Sequence, residues 1–484
     1  MSFDQVLQAS EEAFHLYKKV PANRKASLLR SIAFELENLG EELLQVASQE
    51  SNLPLGRLTG ERARTMNQLT LFADLLEEGA WLEATIDTAL PERKPLPRAD
   101  LRRMLLPLGP VVVFGASNFP FAFSTAGGDT ASSLAAGCTV VFKEHPGHPN
   151  TSQLVYKAIQ KALEVCQLPS AIFQHVSGGI EAGQALVTHP YTKAVAFTGS
   201  YKGGKAIFDL ACQREQPIPV YAEMGSVNPI FVLPEKAEAE SAKLAEQAAL
   251  SVLQGVGQFC TCPGLIFYPQ TESTESFLEM LSGKMEESLG DKMLHEGISR
   301  NYYQGISKIL AARGVESMLT PAEDVLTGNA ALAKTTVEEW LQNPALQEEI
   351  FGPFTLVVTY GSLLELEQAV KQLQGQLTCT IWGTTSELVS AGQLVDQVRE
   401  KCGRLLFEGV PTGVEVSPAM THGGPFPATS DSRSTSVGTY AIKRFARPVT
   451  FQSAPQELLP LELRNENSLS IWRTINGQFT KDRL

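Results

Sequence analysis

The sequence predicts an α/β protein with mostly parallel sheets, on three observations. Short β-branched runs alternate with helical stretches from 110 to 232, a second such series begins at 235, and residues 1 to about 85 show helical periodicity without strand signals. Parallel strands need crossover helices, and those helices cover both faces of the sheet, so each strand reads as an apolar run and not as an alternation.

Taken in order, Phe14, Tyr17, Leu28, Leu29, Ile32, Leu36, Leu43 and Leu44, then Leu69 to Leu76, recur at helical spacing among charges and predict a helical lead-in. The first βα series follows as VVVFG, a helix over 122–136, TVVFK, a helix over 151–165, IFQHV, a helix over 180–187, AVAFTG, a helix over 202–212, PVYAE and PIFVL. The second runs through a helix over 235–254, LIFYP, two long helices within 271–313, FTLVVTY, TCTIWG and GRLLFEG. HGGPFPATSDSRSTSVG is rich in Gly, Ser, Thr and Pro, yet its Phe and Arg suit a docked loop. NSLSIWRTINGQF, at 467–479, has the alternation of an added strand.

Composition removes several function classes. The chain of 484 residues has room for roughly two to four domains. Its 40 Lys plus Arg against 53 Asp plus Glu leave a net charge of −13 without long single-sign runs, which argues against nucleic acid or an anionic membrane as partner. The N-terminal stretch carries acids where a secretory signal needs an unbroken apolar core, and MLLPLGPVVVFG is cut by Pro and Gly. Seven cysteines at irregular spacing do not form a disulfide framework, so a cytoplasmic protein is expected.

The candidate chemistry begins at Gly257-Gln-Phe-Cys260-Thr-Cys262-Pro-Gly264, where a cysteine sits among glycines and small polar residues. Cys138, Cys166, Cys212 and Cys379 instead have the apolar neighbours of packed thiols. Glu223, at the end of PIPVYAE, and Asn118, after VVVFG, both fall at the C-terminal edge of a strand, where α/β sheets bind ligands. Desolvation there raises a carboxyl pKa and suits Glu223 to a general base, and the Asn118 amide suits an oxyanion donor. No G-x-G-x-x-G follows a strand. Gly199-Ser200-Tyr-Lys-Gly203-Gly204-Lys205 opens a helix instead and offers backbone N–H groups to a pyrophosphate. It also satisfies G-x-x-x-x-G-K, but Ala206 cannot hold magnesium as a P-loop Ser or Thr does.

Asn118, Glu223 and Cys260, with FTGS at 197–200 and EEIFGPF at 348–354, occur in an order that resembles the aldehyde dehydrogenase superfamily from about residue 5 to 455. LGRLTGERARTMNQL, KEHPGHPNTS and HGGPFPATSDSRSTSVGT are similar to the branch of α-ketoglutaric semialdehyde dehydrogenases and NADP-dependent fatty aldehyde dehydrogenases. The resemblance implies a parallel-sheet dinucleotide-binding domain over 1–87 and 108–224 and a second α/β catalytic domain over 225–430. It adds a small β oligomerisation extension from 88–107 and 455–484, joining a homodimer or homotetramer. It implies that Cys260 attacks an aldehyde, that Asn118 and the Cys260 amide hold the oxyanion, that hydride passes to NADP or NAD, and that Glu223 activates water against the thioester.

The same resemblance puts Ser200 with Gly199 at the pyrophosphate, Lys143 at the adenosine ribose, and Glu349 with Phe351 at the nicotinamide ribose. Pro146 stands where many NAD-preferring relatives carry glutamate, so the block to NADP is gone; Lys143, His145 and His148 favour the phosphate, and Glu181 opposes it. For a carboxylate-bearing substrate, Arg62 and Arg64 are candidate anchors, and His422 and Phe426 candidate linings of the mouth. Cys262 is read as a packed thiol or the partner of a reversible disulfide with Cys260. C-x-C offers too few ligands for zinc, so no metal is expected. The competing readings are a long-chain aldehyde dehydrogenase, a relative passing the thioester to coenzyme A, a non-catalytic paralogue and a phosphotransferase.

Overall fold

A computed structural model describes residues 2–484. Four helices, Phe3–Tyr17, Ala22–Asn38, Gly40–Ser51 and Leu55–Glu78, form the lead-in and bury the aliphatic stripe read from the sequence. They pack on a five-stranded parallel sheet ordered Phe173–Val176, Val140–Lys143, Val111–Phe114, Ala194–Thr198, Val220–Glu223. Val111 and Val113 enter the core beneath the lead-in and Val112 the core on the opposite face, as the two-residue period of a strand requires. Strand order reverses between Val111–Phe114 and Ala194–Thr198, which opens a crevice at their C-terminal ends.

The second sheet has seven strands, ordered Glu316–Leu319, Ala331–Thr336, Phe354–Tyr360, Leu265–Pro269, Ile230–Val232, Gln376–Trp382, Cys402–Leu406. All its pairings are parallel except that of the first strand. Phe231 and Phe267 face one core, Ile230 and Ile266 the other. A third sheet joins Ala446–Gln452, Leu101–Pro107, Thr85–Asp87, Arg473–Ile475 and Gln478–Thr480. No helix of the described residues is long and apolar enough to cross a membrane.

Three local readings are corrected. The helix expected over 122–136 starts at Gly128, because FAFSTAG folds as turns that bring Phe121 and Phe123 inward. Residues 467–479 do not make one strand. Asn476 and Gly477, at φ 47° and 85°, form the tight turn of a hairpin between Arg473–Ile475 and Gln478–Thr480. Cys212 ends its helix exposed.

The segment from 422 docks along the edge strand Val220–Glu223. Met224 N donates to Ala428 O at 2.8 Å, Ser430 N to Ala222 O at 3.0 Å, and Glu223 bridges Thr429. Its backbone thus finds partners on a sheet edge that would otherwise be open.

Candidate active site

Loops at the C-terminal ends of the first sheet converge with the turn carrying Cys260, which follows the long helix Pro234–Leu253. Asn118, Glu223, Cys260, Glu349, Phe351 and His145 line one cavity of about 570 Å³. A second, of about 230 Å³, is lined by Arg57, Glu61, Arg64, Phe119, Phe259 and His422, and again by Cys260. Cys260 is the one residue that lines both.

The backbone just ahead of the sulfur is forced. Gly255, Val256 and Gly257 hold φ of 57°, 58° and 63°, three consecutive left-handed residues, of which Val256 is β-branched. A Cβ on Gly257 would meet the Gly352 carbonyl carbon and oxygen at 2.2 Å, so this position admits only glycine. Asn118 Nδ2 donates to Gln258 O at 3.1 Å, which ties the amide to the same turn and leaves its other hydrogen free for a ligand.

Cys260 Sγ lies 3.4 Å from His422 Nε2, and that nitrogen lies 3.1 Å from Glu223 Oε1. Ser436 Oγ donates to Glu223 Oε2 at 2.6 Å. Burial, then the Glu223 carboxylate, holds the Cys260 thiol well above the usual thiol range. The expected rise of the Glu223 carboxyl is not found. Burial does push it up, but the imidazole of His422 and hydrogen bonds from His422, Ser436 and Cys260 outweigh burial, and it titrates below the usual carboxylate value. A proton leaving sulfur therefore has an ionised carboxylate within hydrogen-bond reach, held beside it by the His422 ring.

His422 was expected to line the substrate mouth, and it does border the smaller cavity. Its main contact, however, is with the two catalytic candidates, because the docked loop delivers it across the sheet edge. Its backbone is held on both sides, by Thr435 Oγ1 accepting from His422 N at 2.8 Å and by Ser436 N donating to His422 O at 2.8 Å.

The expected anchors divide. Arg64 lines the smaller cavity, with its guanidinium 5.4 Å from the Phe123 ring centroid. Arg62 does not: its Nη1 donates to Gly40 O at 2.6 Å on another face of the helix. Phe426 is also corrected, being 52% exposed and packed edge-on against Tyr201, away from both cavities. Sequence reasoning missed Arg57, whose guanidinium sits 5.0 Å from the Phe119 ring centroid and 4.8 Å from that of Phe259. Arg57, Glu61 and Arg64 stand at i, i+4 and i+7, one helical face, and that spacing was the available signal. Arg57 Nη1, Arg64 Nε and Glu61 Oε2 are buried without a hydrogen-bond partner among the described residues. Burial pushes both guanidinium pKa values down.

The larger cavity fits a dinucleotide. Ser200 caps the helix Tyr201–Cys212, whose N-terminal amides open onto the cavity beside Gly199 and Gly203. A Cβ on Gly199 would meet the Phe197 ring at 2.7 Å, and Thr198 Oγ1, on the same wall, is buried without a partner. Glu349 and Phe351 line the far end. Lys143 ends its strand nearby, but its Nζ donates to Glu144 O at 3.0 Å and it is not part of the lining. Burial, then the neighbouring charges of His148, His295 and Lys143, lowers His145 to about 3, so this ring brings no positive charge to a phosphate. Glu181 is exposed at the start of its helix.

Cys262 turns elsewhere. Its Sγ lies 3.8 Å from Val252 O and 4.0 Å from Gly352 O, and burial raises it to about 12, as expected of a packed thiol.

Residues 1–424 match the aldehyde dehydrogenase family. The chain is 47% identical over 482 residues to the α-ketoglutaric semialdehyde dehydrogenase of Acinetobacter baylyi, covering 99% of this chain and 91% of that one. It is 43% identical over 478 residues to the α-ketoglutaric semialdehyde dehydrogenase 2 of Azospirillum brasilense, covering 98% and 91%. The glyceraldehyde-3-phosphate dehydrogenase of Methanocaldococcus jannaschii, solved with NADP, superposes with a TM-score of 0.77 at 18% identity, over 93% of each chain, and shows the shared fold.

Two outcomes follow from the local physics. Gly257→Ala places a methyl against the Gly352 carbonyl in a left-handed residue and is expected to destabilise by at least about 1–3 kcal/mol, read by denaturant unfolding. Burial, then repulsion from Glu223, raises the Glu349 carboxyl to about 8 against an ordinary 4.5, with the Ser226 amide opposing. The folded state therefore keeps this proton longer than the unfolded chain, and stability is lost as pH rises between those two values. Glu349→Gln is expected to match the parent in stability below pH about 4.5 and to exceed it above pH about 8, by up to roughly 5 kcal/mol, in unfolding measured across that range.

Proposed function

The chain belongs to the aldehyde dehydrogenase family, and on that premise we propose that its substrate is a short ω-oxo acid, α-ketoglutaric semialdehyde or a close analogue. It is an NAD(P)-dependent oxidoreductase that converts an aldehyde to a carboxylic acid. One observation carries the substrate reading: the smaller cavity is lined by Cys260 together with two guanidinium groups, Arg57 and Arg64. A carboxylate is attracted by two such cations, and an alkyl tail makes no use of them. The same feature disfavours a long-chain aldehyde.

Cys260 gives up its proton to the ionised carboxylate of Glu223, with which it shares a hydrogen bond beside His422, and attacks the aldehyde carbon. Asn118 Nδ2 and the Cys260 amide receive the oxyanion of the thiohemiacetal. The nicotinamide cofactor, when bound, accepts the two electrons lost from that carbon. Glu223 first releases the thiol proton to solvent, returning to the ionised form that His422 and Ser436 stabilise, and then takes a proton from the water that opens the thioester. Ser200, Gly199 and the helix amides behind them hold the pyrophosphate, and Glu349 with Phe351 the nicotinamide ribose. NADP and NAD are both admitted, since Pro146 supplies no carboxylate against a 2′-phosphate and the neutral His145 supplies no attraction.

The third sheet, with Phe479 62% exposed on its last strand, supports a homodimer or homotetramer joined through that extension. Seven free cysteines support a reducing cytoplasm.

Cys260→Ser is expected to abolish reduction of either cofactor; normal turnover in that variant ends the assignment. Absorbance assays with short ω-oxo acids, neutral alkanals and aromatic aldehydes test the substrate. Turnover best with long alkanals would remove the ω-oxo acid reading. Arg64→Gln is expected to lower kcat/KM for the ω-oxo acid roughly 10- to 100-fold, the worth of one charge-assisted hydrogen bond, and to leave neutral aldehydes within about threefold.

A further inference from the structure

Sequence spacing provides no metal-binding set, yet the fold brings three different donor atoms together. Cys260 Sγ, His422 Nε2 and a Glu223 carboxylate oxygen all lie within 4.8 Å of one another. We propose that these three residues form a site for zinc, which binds the resting protein and holds it inactive.

Two of the three ligand separations already stand near those of a metal site, and the third, sulfur to carboxylate, is within 4.8 Å. Zinc takes sulfur at about 2.3 Å, nitrogen at about 2.0–2.1 Å and oxygen at about 2.0–2.2 Å, so neighbouring ligands of a tetrahedral set stand roughly 3.4–3.6 Å apart. Sγ and Nε2 are 3.4 Å apart, and Nε2 and Oε1 are 3.1 Å apart, within a few tenths of an ångström of that spacing. At His422 Nε2 a thiol sulfur and a carboxylate converge on a nitrogen that carries at most one hydrogen, and a cation between them satisfies all three at once.

The supports are those that orient metal ligands. Ser436 Oγ holds the second oxygen of Glu223 at 2.6 Å, and Thr435 Oγ1 holds His422 N at 2.8 Å. Cys260 borders both cavities, which leaves a fourth coordination position for water, the pattern of three protein ligands and one open position.

The proton balance is simple. Cys260 loses its thiol proton to solvent, His422 moves its hydrogen to Nδ1 and offers the Nε2 lone pair, Glu223 is already ionised, and about one proton leaves per ion bound. Binding is independent of the catalytic roles assigned above. Only the inhibition rests on the reading of Cys260 as nucleophile.

Titration of the purified full chain with cobalt(II), a spectroscopic stand-in for zinc, tests the site. The expected result is one equivalent bound per chain with the charge-transfer and ligand-field bands of a four-coordinate thiolate site, displaced by zinc. Cys260→Ser and His422→Gln are each expected to lose these bands and to weaken zinc binding by more than about 100-fold, beyond the effect of an outer partner. Cys262→Ser removes the neighbouring thiol and is expected to keep them. In parallel, stoichiometric zinc should block alkylation of Cys260 and stop aldehyde oxidation, both reversed by a chelator. Absence of the thiolate bands in the parent protein, their persistence in His422→Gln, or their loss in Cys262→Ser overturns the proposal. Turnover persisting in Cys260→Ser would instead overturn the catalytic reading while leaving the metal site standing.

Discussion

The contact on which the site depends is made between two segments 199 residues apart in sequence, where His422 Nε2 meets Glu223 Oε1 at 3.1 Å beside the Cys260 sulfur. Neither segment arranges this alone. Glu223 ends an edge strand, and an edge strand offers unpaired backbone groups; the loop from 422 takes those groups as its own partners and in doing so lays an imidazole over the carboxylate. A requirement for backbone hydrogen bonding thus becomes the device that ionises a buried glutamate.

Burial acts on three carboxyls around the two cavities, and the outcome differs with the company each keeps. Glu223 has an imidazole and a hydroxyl and falls below its usual range. Glu349 has one backbone amide and a like charge and rises to about 8. Glu61 accepts from Phe121 N at 2.8 Å and Ala122 N at 3.0 Å, with Arg57 and Arg64 nearby, and still rises, because burial outweighs these contacts. Desolvation alone would have raised all three, and only specific donors separate them.

Much of the architecture was legible because period and composition are local. VVVFG, TVVFK, AVAFTG and PVYAE are the central and edge strands of the first sheet, and their ends carry Asn118, Ser200 and Glu223 as the strand-edge rule predicts. What was not legible is orientation around a helix and contact across the chain. Arg62 and Arg64 look alike in GERART, yet two positions along a helix turn a side chain to a different face, and only Arg64 reaches the cavity. His422 and Phe426 share HGGPF, but the first is 1% exposed and the second 52%. The pKa of Glu223 was misread for a related reason: its burial follows from its strand, whereas its partners come from a loop two hundred residues away.

Cys260 is the residue common to the linings of the two cavities. On the proposed roles, the acid product and the spent dinucleotide lie in separate chambers that meet at one sulfur. A substitution confined to one lining can therefore reshape the aldehyde's chamber and leave the dinucleotide's walls unaltered.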